Sequence, residues 1–232
     1  MKGSVFLVNA SHPLPDGYVP KELAPALPDS SVMLEAECAK ALQALIAASG
    51  GLGSIVPVSG YRPHAEQAAL WRETLATHGD DFTRQYVALP GCSEHETGLA
   101  IDLALDTGEE IDFIRPYFPY DGVCTAMRAL AAEYGFIERY MSGKEQVTGI
   151  SAEPWHFRYV GTAHAKYIAA HGLALEEYIA ELASYPGVQV GEAYFVPDGQ
   201  IAPEIDGVIE DSNAGGLILT SRRVPNEQRE KL

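Results

Sequence analysis

The sequence predicts an α+β protein in which a small central sheet is flanked by helices and a β appendage follows at the carboxyl end. Three features support this class: short apolar runs typical of buried strands, longer segments with apolar residues at helical spacing, and a change of character from Pro186 onward. We therefore expect one domain over residues 1–185 and a small β appendage over residues 186–232. The role of the appendage does not follow from the sequence.

Composition and charge indicate a globular protein and argue against two classes of binding partner. The chain has 232 residues, 47% hydrophobic and 21% charged, which is typical of a globular protein with a substantial core. Its formal charge of −16 disfavours nucleic acid as a partner, because binding phosphates needs clustered Lys and Arg. The same charge argues against binding to an anionic membrane.

The amino-terminal residues and the cysteines bear on location. The apolar run at residues 5–8 is too short for a signal-peptide core or a membrane span. Three cysteines, at positions 38, 92 and 124, do not make a disulfide framework. If the sequence is complete, we expect a cytoplasmic protein. The oligomeric state stays open, and a homodimer is compatible with the sequence.

The first half of the chain alternates short strands with helices. Residues 5–8 predict a strand, and a proline-rich loop follows it. Residues 29–31 can cap a helix that runs to about residue 48 and carries Cys38 on its apolar face. A buried strand over residues 55–59 then turns through Gly60 into a helix over residues 63–77.

The second half continues this pattern. Residues 81–89 predict a lid or short helix, and His164 and His171, on two closing helices, are expected at the surface. The remaining predicted elements are strands over residues 98–103, 136–140 and 155–160, helices over residues 121–134, 162–170 and 175–185, and β segments over residues 188–196 and 216–224.

The strand that begins at Gly98 has two unlike faces. Side chains alternate along a strand, so Leu99, Ile101 and Leu103 share one face, and Gly98, Ala100 and Asp102 share the other. The apolar face should pack on the core. The opposite face carries two very small residues before a carboxylate, which leaves space beside Asp102 for a metal and a substrate. His95 precedes this strand in a loop that Gly98 can turn.

A second motif supplies another imidazole and another carboxylate. Glu153 precedes Pro154, which disfavours the α conformation, so Glu153 and His156 are expected on an extended or turn segment. Zinc held by three protein ligands keeps a fourth position for water, whereas structural zinc sites are closed by four. His95, Asp102 and His156 would make three ligands. Glu153 would then be the spare carboxylate that takes a proton from the attacking water.

These motifs resemble the zinc D-Ala-D-Ala peptidases of the VanX, VanY and VanXY group, most of all the bifunctional VanXY D,D-dipeptidase/D,D-carboxypeptidases. The resemblance rests on Ser93-x-His95-x-x-Gly98-x-Ala100-x-Asp102, on Glu153-Pro-Trp-His156, on Ser59-Gly-Tyr-Arg62 with Gln67, and on the longer strings at residues 86–95 and 148–161. It implies the Hedgehog/D,D-peptidase-like fold with a mainly antiparallel sheet, and one Zn²⁺ per chain. The implied substrate is free D-Ala-D-Ala or a cell-wall precursor pentapeptide, in glycopeptide resistance of the vancomycin type.

The resemblance also implies roles for residues around the metal. Arg62 would polarise the scissile carbonyl and stabilise the oxyanion. Ser93, Gln67 and Tyr61 would hold the substrate near its terminal carboxylate, and Trp155 would shape the pocket. Ser59 stands where some relatives have Asp, so the preference between dipeptide and pentapeptide stays open.

Three alternatives remain at this stage. Cys92 could join His95, Asp102 and His156 in a closed structural zinc site. The chain could be a non-catalytic binding module that keeps the zinc fold, as in the related Hedgehog signalling domain, although Glu153 is present. It could also be a monofunctional D,D-carboxypeptidase.

Overall fold

The computed structural model describes residues 3–200 and 207–221. Its centre is a four-stranded antiparallel sheet in the order β3 (Ile55–Ser59), β4 (Ala100–Leu105), β6 (Glu153–Tyr159) and β5 (Phe136–Tyr140). The predicted α+β class with a small, mainly antiparallel sheet is confirmed.

Helices cover the apolar face of this sheet. The principal pair is α1 (Ala36–Ala48) and α4 (Gly122–Ala131), whose apolar residues share one buried cluster with Leu99, Ile101 and Leu103. The predicted division of the Gly98 strand into an apolar face and an open face is therefore confirmed. Cys38 lies in the same cluster and is buried, as expected. The other helices are α2 (His64–His78), α3 (Asp80–Tyr86), α5 (Glu145–Thr148), α6 (Thr162–His171) and α7 (Leu175–Ser184).

The first helix begins later than predicted. Residues 29–31 do not cap it, because Met33–Glu35 (β2) instead pairs antiparallel with Leu23–Pro25 (β1). The cap is Glu35, whose Oε2 accepts hydrogen bonds from the backbone N–H groups of Glu37 (3.0 Å) and Cys38 (3.2 Å). A carboxylate at this place also complements the helix dipole.

The predicted strand at residues 5–8 is wrong, although the segment is buried. Several of its backbone groups bond to side chains, not to a neighbouring strand. The carbonyls of Ser4 and Phe6 accept hydrogen bonds from Arg158 Nη2 at 3.0 and 3.1 Å, and the backbone of Leu7 bonds to the side-chain amide of Asn213. Buried backbone groups need partners, and here side chains from distant parts of the chain supply them.

A second four-stranded antiparallel sheet follows α7, in the order β7 (Gln189–Val190), β8 (Ala193–Pro197), β10 (Gly216–Ser221) and β9 (Gly207–Ser212). Strand β9 was predicted as part of a connection, and residues 222–224 of the last predicted β segment lie outside the described residues. Buried residues of this sheet share a hydrophobic cluster with α6 and α7. The division at residue 185 stays a prediction.

His164 is a correction to the sequence prediction. It is buried, and its ring nitrogens lie 2.7 Å from Tyr178 Oη, 2.8 Å from Thr220 Oγ1 and 3.2 Å from Glu210 Oε2. It therefore joins α6 to α7 and to the second sheet, while His171 is exposed as predicted. Within residues 3–200 and 207–221, no helix combines the length and the apolar character that crossing a bilayer requires.

Candidate metal centre and active-site cleft

His95, Asp102 and His156 come together on the open face of the central sheet. One carboxylate oxygen of Asp102 lies 2.8 Å from His156 Nδ1, and the other lies 3.1 Å from His95 Nε2. The three potential ligand atoms are all within 4.8 Å of one another, and all three residues are buried. Two imidazoles and one carboxylate are a donor set that zinc accepts, so the residues fit the metal that the sequence predicts.

The sheet register and one tight turn produce this geometry. Asp102 on β4 and His156 on β6 are direct cross-strand partners, so their side chains project from the same face. His95 lies in a short 3₁₀ turn (Glu94–Thr97) that ends at Gly98, where φ is 72°. A Cβ at Gly98 would approach the backbone nitrogen of Glu35 to 2.9 Å, so only glycine fits there.

The His95 ring is oriented from behind. Its Nδ1 lies 2.8 Å from the carbonyl oxygen of Gly60, which can only accept a hydrogen bond. Nδ1 therefore carries the proton, and the lone pair of Nε2 faces Asp102. Metal-binding histidines are commonly fixed in this way through the nitrogen that does not bind the metal.

In the part of the chain that the structure describes, no further His, Cys, Asp or Glu joins this group as a fourth ligand. Cys92, the residue of the closed-site alternative, lines a neighbouring cavity with Trp71, Leu89 and Thr148. The three-ligand arrangement thus leaves coordination positions for water and substrate, as a catalytic site requires.

Replacing Cys92 with Ala tests the closed-site alternative. Because its thiol is outside the group of ligand atoms, we expect Cys92→Ala to bind one zinc per chain with unchanged affinity, measured by elemental analysis and chelator competition. Loss of zinc from this variant would favour a four-ligand structural site.

Glu153 lies beside the metal group. Its Oε2 is 3.8 Å from His156 Nδ1, and the side chain is nearly inaccessible to solvent. Burial, with a further contribution from the charges of Asp102 and Glu94, raises the pKa of Glu153 to about 8. A divalent cation would act in the opposite direction and lower the pKa of this carboxyl. The carboxyl of Glu153 lines the same cleft as the three potential ligands.

Arg62 forms the wall of the same cleft and is held by neutral groups. Its Nη1 donates to Gln67 Oε1 at 2.8 Å and its Nη2 donates to Ser59 Oγ at 2.6 Å. Gln67 in turn donates to the carbonyl of Ala88 at 2.7 Å. Burial lowers the pKa of Arg62, while Asp102 and other nearby carboxylates oppose this effect. The hydrogen bonds fix the guanidinium without neutralising its charge.

Most of the other predicted site residues line this cleft. Ser93 and Trp155 do, whereas Tyr61 is not among the lining residues. The backbone N–H of Tyr61 donates to the carbonyl of Met33 at 2.6 Å. The cleft also includes side chains that the sequence did not indicate: Leu70, Tyr86, Phe113, Ile114, Tyr140 and Ile150.

Glu94 is the main residue that the sequence analysis missed. It is buried between Arg139 and Arg158, with its Oε1 at 2.8 Å from Arg139 Nε and 2.9 Å from Arg158 Nη1. Burial opposes its ionisation, but the two arginines and His156 outweigh burial and hold the pKa of Glu94 well below its usual range. Inward-facing arginines on two neighbouring strands require a buried carboxylate, and this was the available signal.

Comparison with known proteins decides the family. A family model described as "VanY: D-alanyl-D-alanine carboxypeptidase" matches residues 31–162, more than half of the chain. The chain belongs to the VanY family. The resemblance drawn from the sequence motifs is thereby confirmed, and the matched range contains every predicted site residue.

Individual proteins that are similar to this VanY-family chain support the assignment. It is 44% identical over 173 residues to the bifunctional D-Ala-D-Ala dipeptidase and carboxypeptidase VanXYC of Enterococcus gallinarum, covering 74% of this chain and 91% of the relative. Its structure is similar to that of the vancomycin resistance D,D-dipeptidase VanXYg in complex with a D-Ala-D-Ala phosphinate analogue, with a TM-score of 0.87 and 42% identity over 94% and 93% of the two chains. A VanY D,D-pentapeptidase mutant in complex with Zn(II) matches with a TM-score of 0.61 and 32% identity over 76% and 98%.

Proposed function

We propose that this chain is a zinc peptidase that hydrolyses the free dipeptide D-Ala-D-Ala and removes the terminal D-Ala from the pentapeptide of cell-wall precursors. One observation carries the proposal: the His95, Asp102 and His156 group opens on a cleft that also presents Glu153 and Arg62. The two most similar relatives described above act on, or are bound to an analogue of, D-Ala-D-Ala.

His95 Nε2, His156 Nδ1 and the Asp102 carboxylate would hold the zinc ion. When bound, zinc supplies Lewis acidity that activates water and polarises the scissile carbonyl. The chain keeps these three donors buried and pre-oriented, so little ordering remains to be done when the metal binds.

Glu153 moves the proton. Water adds to the scissile carbonyl carbon and loses a proton to the Glu153 carboxylate. The same proton then passes to the leaving nitrogen as the C–N bond breaks, so D-Ala departs as an amine and Glu153 is again a carboxylate. A carboxyl whose pKa is raised by burial is suited to both transfers, because a catalytic group works best with a pKa near the working pH.

Arg62 stabilises the negative charge that develops on the former carbonyl oxygen. The guanidinium is fixed before substrate arrives, so it needs no reorganisation during the reaction. Both polar atoms of Gln67 are already engaged, by Arg62 and by the Ala88 carbonyl, so Gln67 acts through Arg62. Ser93 and Trp155 remain the candidates for contact with the substrate, and Tyr61 receives no such role.

The proposed cellular role follows from the substrate. An enzyme that destroys D-Ala-D-Ala termini before they reach the cell wall would act in the cytoplasm, where precursors are assembled. This role serves resistance to glycopeptides of the vancomycin type, consistent with the description of the relative VanXYg.

The test is to offer zinc-loaded protein free D-Ala-D-Ala and the precursor pentapeptide in parallel and to quantify released D-Ala. A tetrapeptide whose last bond joins an L-residue to D-Ala is the stereochemical control, and chelator-treated protein is the metal control. Cleavage of both D,D substrates supports the proposal, and cleavage of the pentapeptide alone identifies a monofunctional carboxypeptidase. If neither is cleaved, the non-catalytic binding module becomes the better interpretation.

A further inference from the structure

His156 has one ring nitrogen on the metal side and one that faces the interior. Nδ1 lies beside Asp102 and Glu153, whereas Nε2 points at Glu94 Oε2, 3.6 Å away. In the described part of the chain, His156 Nε2 and Glu94 Oε2 are both buried atoms without another hydrogen-bond partner. The separation is longer than a hydrogen bond, and an approach of about 0.5 Å would bring the two atoms within hydrogen-bond distance of each other.

The rest of Glu94 is already fixed. Arg139 Nε and Arg158 Nη1 approach the opposite carboxylate oxygen, Oε1, at 2.8 and 2.9 Å. Arg139 is itself held by both carboxylate oxygens of Glu176, at 2.6 and 2.9 Å. Arg158 is held by the backbone carbonyls of Ser4 and Phe6. Oε2 is therefore directed at the His156 ring.

The chemical consequence is a fixed tautomer. A carboxylate oxygen can only accept a hydrogen bond, so Glu94 favours a proton on His156 Nε2, while Asp102, 2.8 Å from Nδ1, favours a proton on Nδ1 in the metal-free protein. A metal held by Asp102 and Nδ1 requires Nδ1 without its proton, so the loaded form keeps only the proton on Nε2. That form leaves a lone pair on Nδ1, on the side of Asp102 and His95. The Gly60 carbonyl does the same for His95, so each imidazole is oriented through the nitrogen that does not face the site.

We infer that Glu94 is a positioning residue that presents His156 to the metal through Nδ1 by holding the proton on Nε2. The inference deepens the proposed function, on which it rests only in assigning a metal to this site. Arg139 and Arg158 take part by occupying Oε1. Glu94 lines the inner end of the cleft, and the effect inferred for it passes through the His156 ring.

The test is Glu94→Gln. A carboxylate offers one oxygen to the two arginines, with a hydrogen bond from Arg139 and an ion pair with Arg158, and a second oxygen to His156, whereas the amide has only one oxygen. The two arginines keep the amide oxygen, so the NH₂ group faces His156 Nε2 and favours the opposite tautomer. We expect zinc affinity, measured by chelator competition, to fall by about 10- to 100-fold, the typical loss when such a supporting partner is changed.

Glu176→Gln is the matched control. It removes one negative charge from the same network and the same arginine but leaves the contact between Glu94 and His156 intact. We expect its zinc affinity to match the wild type. An equal loss in both variants would show that the network acts only on folding, and an unchanged affinity in Glu94→Gln would also overturn the inference.

A measurement on the wild-type protein covers the case in which Glu94→Gln does not fold. In zinc-loaded protein labelled with ¹⁵N, long-range NMR correlations should show His156 protonated at Nε2 with a proton that exchanges slowly with water. Zinc on Nε2, or an Nε2 proton that exchanges as in a free imidazole, would contradict the inference. These readouts need no substrate, so they stand apart from failure to hydrolyse D-Ala-D-Ala.

Discussion

Replacing Glu153 with Gln should reduce hydrolysis of D-Ala-D-Ala by a factor of about 10²–10⁴, the usual contribution of a general acid–base group. The amide has nearly the same shape but cannot accept the proton of the attacking water. Zinc content should stay at one ion per chain, because Glu153 is outside the ligand group. Initial rates with the dipeptide and elemental analysis of the same preparation measure the two effects.

Glu145→Gln is the control for this experiment, because Glu145 is an exposed glutamate at the start of α5. It should change neither rate nor zinc content. Turnover by Glu153→Gln within a few fold of the wild type would place the base elsewhere, and loss of zinc from it would assign Glu153 to the metal.

The substitution Glu153→Gln should also stabilise the metal-free protein against unfolding. The pKa of Glu153 is raised to about 8 from an ordinary value of 4.5, so the folded state holds its proton more tightly than the unfolded state. Stability from this group is complete below about pH 4.5 and declines as the pH rises through 8. A neutral Gln avoids this loss. The gain in melting temperature of chelated Glu153→Gln over chelated wild type should therefore grow between pH 5 and 8.

The sequence allowed the metal group to be predicted because its determinants are local. Alternation along one strand separated Asp102 from Leu99, Ile101 and Leu103, and the small residues Gly98 and Ala100 marked the open face. The pairing of this strand with the segment that carries His156 is long-range information that the sequence did not predict. That pairing is observed directly between Asp102 and His156.

The position of Glu153 could not be predicted from the alternation of side chains along a strand. A regular strand would place residues 153 and 156 on opposite faces, because they are an odd number of positions apart. The register between β5 and β6 shifts, with Glu138 opposite Phe157 but Tyr140 opposite Glu153. This irregularity brings the Glu153 carboxylate to the side of His156. Such bulges often re-aim side chains near active sites, and their exact place depends on the partner strand.

Buried polar contacts between distant segments could not be predicted from the sequence. His164 is predicted at the surface when α6 is considered alone, but Tyr178 and Thr220 arrive from 14 and 56 positions away to bond its ring. Glu94 is separated by 45 positions from Arg139. A single sequence shows which polar residues are present but not which of them contact one another in the fold. Proximity in sequence is no substitute, because Tyr61 is adjacent to Arg62 but is not among the residues that line the cleft.

Replacing Arg62 with Ala should lower kcat by a factor of about 10²–10³, comparable with the removal of one oxyanion-stabilising donor. The guanidinium is held by Gln67 and Ser59, which are neutral acceptors, so its positive charge stays available to an oxyanion in the cleft. KM should change much less than kcat, because the charge that Arg62 stabilises appears mainly in the transition state. Steady-state kinetics with D-Ala-D-Ala separate the two constants.

Two further variants make the Arg62 experiment specific. Arg62→Lys keeps a positive charge but cannot reproduce the forked bonds to Gln67 and Ser59, so it should recover only part of the lost kcat. Arg72→Ala removes an exposed arginine from the same helix region and should leave both constants unchanged. An Arg62→Ala variant with raised KM and normal kcat would show that Arg62 binds the ground state of the substrate. In that case stabilisation of the oxyanion would rest on the metal alone.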